Sequence, residues 1–184
     1  ETYPEDWVIV DTKNDPDQEP VSKFYCRRDR PYVSIPAPDA GRRYEYRVQQ
    51  EDGHQKLLDF DNIRERLSSI RSIRPKDIIR STIYTFEAKI AERWRCGRTL
   101  LAGDAAHLTP PFAGQGLNNG LRDVHNLAWK LSLVLKEEAS EKLLDSYELE
   151  RREPTRAMID LAIAMGDIVM PQAEEDIEFR NKLV

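Results

Sequence analysis

The most chemically informative segment of this 184-residue sequence is a glycine-rich loop, residues 103–118. Asp104 follows the short segment 98–102, "RTLLA", which we predict to be a buried strand. Ligands of α/β sheets gather where strands end, so a carboxylate at this point can bind the hydroxyl groups of a polyol. The sequence "GQG" at residues 114–116 then leads into a predicted helix, whose first backbone N–H groups attract negative charge. A carboxylate for a polyol and amide donors for a delocalised negative charge together describe a flavin site.

Two other interpretations of this loop remain open. The segment "GQGLNNG" contains three glycines, but its spacing is one residue too long for a dinucleotide-binding fingerprint, and no acidic residue ends a second strand about twenty positions later. Alternatively, Asp104 caps a turn and the glycines only permit tight packing. Pro110 and Pro111 stiffen the loop into an extended path, and the coincidence of all these features favours a binding loop.

Tyr44 and Tyr46 are candidates for contacting an aromatic ligand. Residues 42–48 alternate in polarity, which predicts a half-buried strand with both tyrosines on its buried face and two arginines and a glutamate on its wet face. The competing interpretation is that the tyrosines are ordinary core aromatics.

The composition is typical of a soluble domain, with 40% apolar residues, 33% charged residues and a net charge of −5. This mild acidity argues against nucleic acid as a partner, and no apolar segment approaches the roughly 20 residues needed to span a bilayer. Cys26 and Cys96 are interpreted as free thiols of a reducing compartment, and His107 as a turn residue that bonds to backbone. The three histidines share no metal-ligand spacing. We therefore predict a cytoplasmic protein without a metal site.

The order of predicted elements is strands first and helices afterwards, which predicts an α+β fold built on a mainly antiparallel or mixed sheet. Pro154 is expected to separate the last two helices. The predicted strands are residues 7–10, 22–27, 31–35, 42–48, 78–88 and 98–102, and the predicted helices are residues 62–71, 117–135, 140–152 and 155–169.

The segment "GRTLLAGDAAHLTPPFAGQGLNNGLRDVHNLAWKLSLVLKEEASEKLLDSYELERR", residues 97–152, closely resembles the second flavin-binding motif of the FAD-dependent aromatic hydroxylases of the p-hydroxybenzoate hydroxylase fold. The upstream segments "DWVIVDT", "RRYEYRV" and "IYTFEAKIAERWRCGR" look most like the 3-(3-hydroxyphenyl)propionate hydroxylase branch. The resemblance implies a flavoprotein monooxygenase that uses FAD, NAD(P)H and O₂ to hydroxylate a small phenolic acid.

The resemblance also implies roles for individual residues. Asp104 matches the aspartate that binds the ribityl chain of FAD, and Pro110 and Pro111 match a pair beside the flavin ring and the aromatic substrate. Phe112 departs from the small residue that is more usual in this loop. The residues expected to bind the cofactor are Asp104, Pro111, Gly114, Gln115, Gly116, Leu117 and Asn118, and those expected to face substrate are Tyr44, Tyr46, Pro110 and Phe112.

By this resemblance, residues 1–96 form a substrate-binding sheet domain, residues 97–136 the last part of an FAD-binding domain, and residues 137–184 C-terminal helices. The chain begins with Glu1 and contains neither a G-x-G-x-x-G segment nor the family's Asp-Gly motif, so we expect it to be part of a longer enzyme. Alone, it is expected to hold no FAD and to expose an apolar patch on the long helix that invites dimerisation. Two alternatives stay open: another flavoprotein of this fold, such as a halogenase or a reductase, or a non-catalytic module that binds an aromatic ligand.

Overall fold

The computed structural model describes residues 5–27, 30–49, 52, 56–170, 177–178 and 181–182. The chain divides into two compact units, one formed by residues 86–166 and the other by the described residues of 5–85 and 167–182. Sheets and helices are both present, and the predicted α+β fold class is confirmed.

The first unit along the chain is built on a five-stranded sheet in the order β2-β3-β4-β1-β5. The pairs β1–β4, β3–β4 and β2–β3 are antiparallel, as predicted for a mainly antiparallel sheet. The hairpin between β3 and β4 turns through Asp39 and Ala40, both with positive φ, and Gly41 follows because a Cβ there would lie 2.5 Å from the Thr12 carbonyl oxygen. The strands are β1 Glu5–Thr12, β2 Lys23–Tyr25, β3 Tyr32–Ala37, β4 Gly41–Arg47 and β5 Ile78–Phe86.

One face of this sheet carries the core of the unit. Helix α1, Phe60–Leu67, begins two residues earlier than predicted and contributes the buried Ile63 and Leu67. Alternation in β1 and β4 directs apolar and aromatic side chains toward these residues. The core cluster comprises Val8, Val10, Tyr32, Tyr44, Tyr46, Leu57, Ile63, Leu67 and Ile73.

The face of β4 that was predicted to be exposed to solvent is less exposed than expected. Glu45 is only 8% exposed, because β4 is a central strand and the side chains that flank Glu45, Ile9 and Val33, are themselves buried. Burial raises the pKa of Glu45, and the nearby Arg43 partly offsets this rise.

The second unit combines two short two-stranded sheets with two long helices. Its core consists of Trp94, Ala106, Leu127, Leu144 and Tyr147. Strand β6 pairs with β9, and β7 pairs with β8, both antiparallel. The elements are β6 Lys89–Ile90, β7 Arg95–Cys96, β8 Thr99–Leu100, β9 His107–Leu108, α2 Gly116–Leu135 and α3 Asp145–Val169.

The segment predicted as one buried strand at 98–102 is instead the second half of a hairpin. Only Thr99–Leu100 is a strand, Thr99 is exposed, and the partner is Arg95–Cys96 directly upstream. Gly97, at φ 59°, reverses the chain and so brings these neighbours together.

The prediction that Pro154 separates two helices is wrong. After a short 3₁₀ turn at Glu141–Leu144, helix α3 runs without a break from Asp145 to Val169 with Pro154 inside it. Proline has a helical φ and removes only one donor. Because Pro154 is exposed, water can replace the missing partner of the carbonyl one turn upstream.

Helix α2 buries only part of the apolar stripe whose spacing of three or four residues predicts it, namely Leu117, Leu121, Val124, Leu127, Ala128, Leu131 and Leu135. Its buried residues are Asn119, Asp123, Leu127 and Lys130, three of which are polar. Much of the apolar stripe is exposed instead, so the predicted apolar patch is confirmed. The exposed members are Leu117, Leu121, Val124 and Leu135, at 78%, 59%, 56% and 74%.

No helix in the described part of the chain is long and apolar enough to cross a membrane.

Candidate functional site

The loop predicted to bind a cofactor is a series of tight turns between β8 and α2. A 3₁₀ turn at Gly103–Ala105 is followed by β9, and a second 3₁₀ turn at Pro111–Ala113 ends at Gly114. Gly103 and Gly114 have φ values of 56° and 60°, which residues with a side chain rarely adopt. The glycines therefore shape the backbone of this loop.

The first turn carries Asp104 outward. Its side chain is exposed, and it lines an open groove of about 410 Å³ beside β6 and β9. Gly103 sits so close to helix α2 that a Cβ on Gly120 would lie 3.4 Å from the Gly103 Cα. Because neither glycine has a side chain, the backbone of the turn packs directly against the backbone of α2.

The start of α2 presents uncapped backbone donors. Gln115 precedes the helix without making a side-chain cap, and instead its Nε2 donates to the Ala113 carbonyl at 3.2 Å. Asn118 Nδ2 donates to Gln115 Oε1 at 3.3 Å, and Leu117 is exposed. The first N–H groups of a helix have no partner within it, so this end can bind a negative or partly negative oxygen. A Cβ on Gly114 or Gly116 would meet nothing within 4 Å, so a ligand has room to approach the backbone.

The prolines and Phe112 lie between these two features. Pro110 is buried and Pro111 is exposed. The Phe112 ring is 8% exposed and packs edge-on against Phe86, with centroids 5.6 Å apart and planes at 88°. Phe112 thus has a packing role in this unit, and its predicted contact with substrate remains a prediction.

A buried ionic network that sequence reasoning missed lies directly behind the Asp104 turn. Asp123 of α2 is fully buried, and its Oδ2 accepts from the Gly103 N–H at 3.1 Å and lies 2.6 Å from His107 Nε2. Its Oδ1 accepts from Arg151 Nε of α3 at 3.0 Å. His107 therefore bonds to a carboxylate, and the expectation that it bonds to backbone is wrong.

Electrostatics keep this buried carboxylate ionised. Burial alone would raise the pKa of Asp123, but hydrogen bonds from His107, Arg151 and Gly103 outweigh it, and the net pKa is lowered. The sequence does carry a signal for this buried carboxylate. Asp123 lies four residues after Asn119 and four before Leu127, which places all three side chains on one face of α2, and this face is buried in the structure.

Comparison with known proteins assigns this chain to a sequence family. The sequence family described as "FAD binding domain" matches residues 2–162. The chain belongs to the FAD binding domain family. It is 43% identical over 171 residues to the 3-(3-hydroxy-phenyl)propionate/3-hydroxycinnamic acid hydroxylase of Escherichia coli, an alignment that covers 92% of this chain and 31% of that protein. The chain thus spans about a third of the length of the curated relatives it matches.

Solved structures show the same fold. The p-nitrophenol 4-monooxygenase of Pseudomonas putida aligns with a TM-score of 0.82 at 24% identity, covering 100% of this chain and 49% of that one. Aklavinone-11 hydroxylase, crystallised with FAD and aklavinone, aligns with a TM-score of 0.80 at 24% identity, covering 92% of this chain and 33% of that one.

The loop at residues 103–118 has features that fit FAD, the cofactor named in the description of the family. An exposed carboxylate suits ribityl hydroxyl groups, and open helix N–H groups suit a pyrimidine carbonyl. Open space beside Gly114 and Gly116 lets a planar ring approach the backbone. No group of three or more His, Cys, Asp or Glu residues in the described ranges is arranged to hold a metal ion.

The two tyrosines predicted to face substrate belong to the other unit. Tyr44 is 2% exposed, and its hydroxyl donates to Asp15 Oδ2 at 3.0 Å. Burial, with Asp15 beside it, raises the pKa of Tyr44 to about 12. Tyr46 is fully buried, and burial also raises its pKa. This burial favours the alternative that both are core aromatics, and their contact with substrate remains a prediction.

Proposed function

We propose that this chain supplies part of the FAD site and the substrate-binding sheet of an FAD-dependent, NAD(P)H-using monooxygenase. Its substrate would be a small phenolic acid of the 3-(3-hydroxyphenyl)propionate type. The observation that carries the proposal is 43% identity to a hydroxylase of such acids across 92% of this chain. Because the relative is three times longer, the complete activity belongs to a longer protein.

In this proposal Asp104 accepts hydrogen bonds from ribityl hydroxyl groups, as its exposed position on the turn allows. The backbone N–H groups after Gly114, those of residues 115–118, face the pyrimidine side of the flavin ring, and Pro111 lies beside the ring. FAD, when bound, supplies the activation of O₂ that inserts one oxygen atom into the phenol. The chain itself orients the ring and favours negative charge on it through the positive end of α2.

On the substrate side, the proposal assigns Pro110 and Phe112 to the wall beside the aromatic ring. Tyr44 and Tyr46 would reach substrate only if their buried sheet face opens toward it. No side chain of this chain is required to act as an acid or a base, because positioning and exclusion of water are sufficient roles here. The proposed division into a sheet domain at 1–96, a flavin-domain segment at 97–136 and C-terminal helices at 137–184 follows the same assignment.

The test is cofactor consumption by the protein at its natural length, loaded with FAD. NADH or NADPH oxidation and O₂ uptake are measured with and without 3-(3-hydroxyphenyl)propionate, and with phenylpropionate as the matched acid without a phenol. We expect the phenolic acid alone to stimulate turnover and to be hydroxylated. Turnover that no hydroxyphenyl acid stimulates would contradict the proposal.

A further inference from the structure

The strongest unassigned feature is the buried carboxylate of Asp123. It is fully buried on α2, in a protein interior where an ionised carboxylate is costly unless it is paired and hydrogen-bonded. Its partners come from three places in the chain: the Gly103 backbone, the His107 ring and the Arg151 guanidinium. Such a fully paired group has a defined orientation and fixes the positions of its partners.

The partners of Asp123 bracket the turn that carries Asp104. Gly103 immediately precedes Asp104, and His107 follows three residues later, and both bond to the same oxygen, Oδ2. Because a carboxylate only accepts, His107 Nε2 carries the hydrogen of this bond. The Oδ2 atom of Asp123 therefore holds the residues at both ends of the turn through hydrogen bonds.

Further contacts hold the Asp123 carboxylate and the turn at residues 103–107 in fixed positions relative to each other. Arg151 of α3 holds the other oxygen, Oδ1, at 3.0 Å, so the carboxylate cannot rotate freely. Gly103 also lies directly against α2 at Gly120, three residues before Asp123, where a Cβ on Gly120 would be 3.4 Å from the Gly103 Cα. From the other side, the Ala106 carbonyl accepts from the Ala91 N–H at 2.8 Å.

We infer that Asp123 is a positioning residue for flavin binding: it fixes the backbone on both sides of Asp104 and so sets where the Asp104 carboxylate meets the cofactor. This inference rests on the proposed function. It predicts that Asp123 contributes to FAD affinity without touching FAD, and that its whole effect passes through Asp104.

The first test measures the turn without cofactor. In the FAD-free protein at its natural length, Asp123→Asn is expected to speed amide hydrogen exchange at Gly103 and Ala106 roughly tenfold or more relative to residues 124–130 of the same helix. Lys130→Met is the matched control, because Lys130 is an equally buried charge on α2 that bonds to Ser146 and Glu150, away from the turn. Uniform acceleration in both variants would mean general destabilisation and would overturn the inference.

The second test is a double-mutant cycle on FAD affinity. Asp123→Asn and Asp104→Ala should each weaken binding roughly tenfold or more, and the double variant should bind within about twofold of Asp104→Ala alone. Effects that multiply would show that Asp123 does not act through Asp104 and would overturn the inference. Unchanged affinity in Asp123→Asn would do the same.

A second pair of variants decides the matter if Asp123→Asn does not fold. His107→Gln keeps a side-chain N–H donor near the carboxylate and should retain wild-type FAD affinity, whereas His107→Leu removes the donor and should lose roughly tenfold. Equal affinity in the two variants would overturn the inference.

A wild-type protein that binds no FAD would overturn the proposed function as well, whereas a flavin-binding wild type with unaffected variants would overturn only the role of Asp123.

Discussion

The carboxylate of Asp104 is the residue on which the proposed cofactor site depends most. It is exposed on a turn whose backbone is fixed by Gly103 and by the buried Asp123 behind it. An exposed carboxylate on a rigid turn contributes little to folding, so its substitution should report on binding and not on stability.

Asp104→Ala is expected to weaken FAD binding by about 1–3 kcal/mol, the usual loss when a charged hydrogen-bond partner is removed. Flavin fluorescence titration of the natural-length protein measures this change. Asp160→Ala, which removes an exposed aspartate of α3, is the matched control and should leave affinity unchanged. Equal flavin occupancy in Asp104→Ala and the wild type would remove Asp104 from the site.

Local sequence patterns mark some of these residues and not others. Asp104 and the glycine turn were found because local spacing and family resemblance both mark them. Asp123 and Arg42 were not, because each depends on partners far along the chain. Arg42 shares the face of Tyr44 and is fully buried, since its guanidinium donates to Ser34 Oγ and to the carbonyl groups of Glu19 and Val21.

At the scale of elements, helices α2 and α3 are joined by ion pairs as well as by apolar packing. Lys130 of α2 is fully buried and lies 2.8 Å from Glu150 of α3. Hydrogen bonds from Lys130 and then Asn126 lower the pKa of Glu150 to about 2. The apolar stripe predicted α2 to within one residue at its start, but periodicity alone did not show that most of this stripe is exposed and that Asn119, Asp123 and Lys130 are buried.

This ion pair gives a pH-dependent contribution to stability. Because the pKa of Glu150 is lower when folded, its contribution is fully present above the ordinary value near 4.5 and is lost as the pH falls toward about 2. Glu150→Gln should therefore reduce the free energy of unfolding at pH 7 and flatten its decline between pH 4.5 and 2. Urea unfolding at several pH values measures both effects.

Glu138→Gln is the control for this comparison, because Glu138 is an exposed acid in the turn after α2. Its pH profile should match the wild type. A Glu150→Gln profile parallel to the wild type across the acid range would show that Lys130 and Glu150 do not stabilise the folded state as a pair.

At the scale of the whole molecule, the chain carries the loop that we propose to bind FAD and an apolar face of α2 that is exposed among the described residues. It spans about a third of the length of its curated relatives, and its loop reaches only the ribityl and pyrimidine parts of FAD in the proposed arrangement. Contacts to the adenosine and pyrophosphate would come from elsewhere in the longer protein.

The 184-residue chain on its own is therefore expected to fold, to hold no tightly bound FAD and to self-associate through α2. Gel filtration with detection at the visible absorbance band of flavin tests cofactor retention, and sedimentation velocity tests association. Leu121→Lys should shift the chain toward monomer, whereas Leu149→Lys, at an exposed leucine of α3, should not. Flavin that survives gel filtration would contradict the expectation.

We propose that the protein containing this chain transfers one atom of O₂ to a phenolic acid, with FAD bound at the Asp104 loop. The most direct measurement is a reaction of the natural-length protein with FAD, NAD(P)H, ¹⁸O₂ and 3-(3-hydroxyphenyl)propionate, analysed by mass spectrometry. We expect a dihydroxylated product that carries a single ¹⁸O atom, and much less of this product from the Asp104→Ala variant at limiting FAD. Oxidation of NAD(P)H with no ¹⁸O in any aromatic product would contradict this proposal.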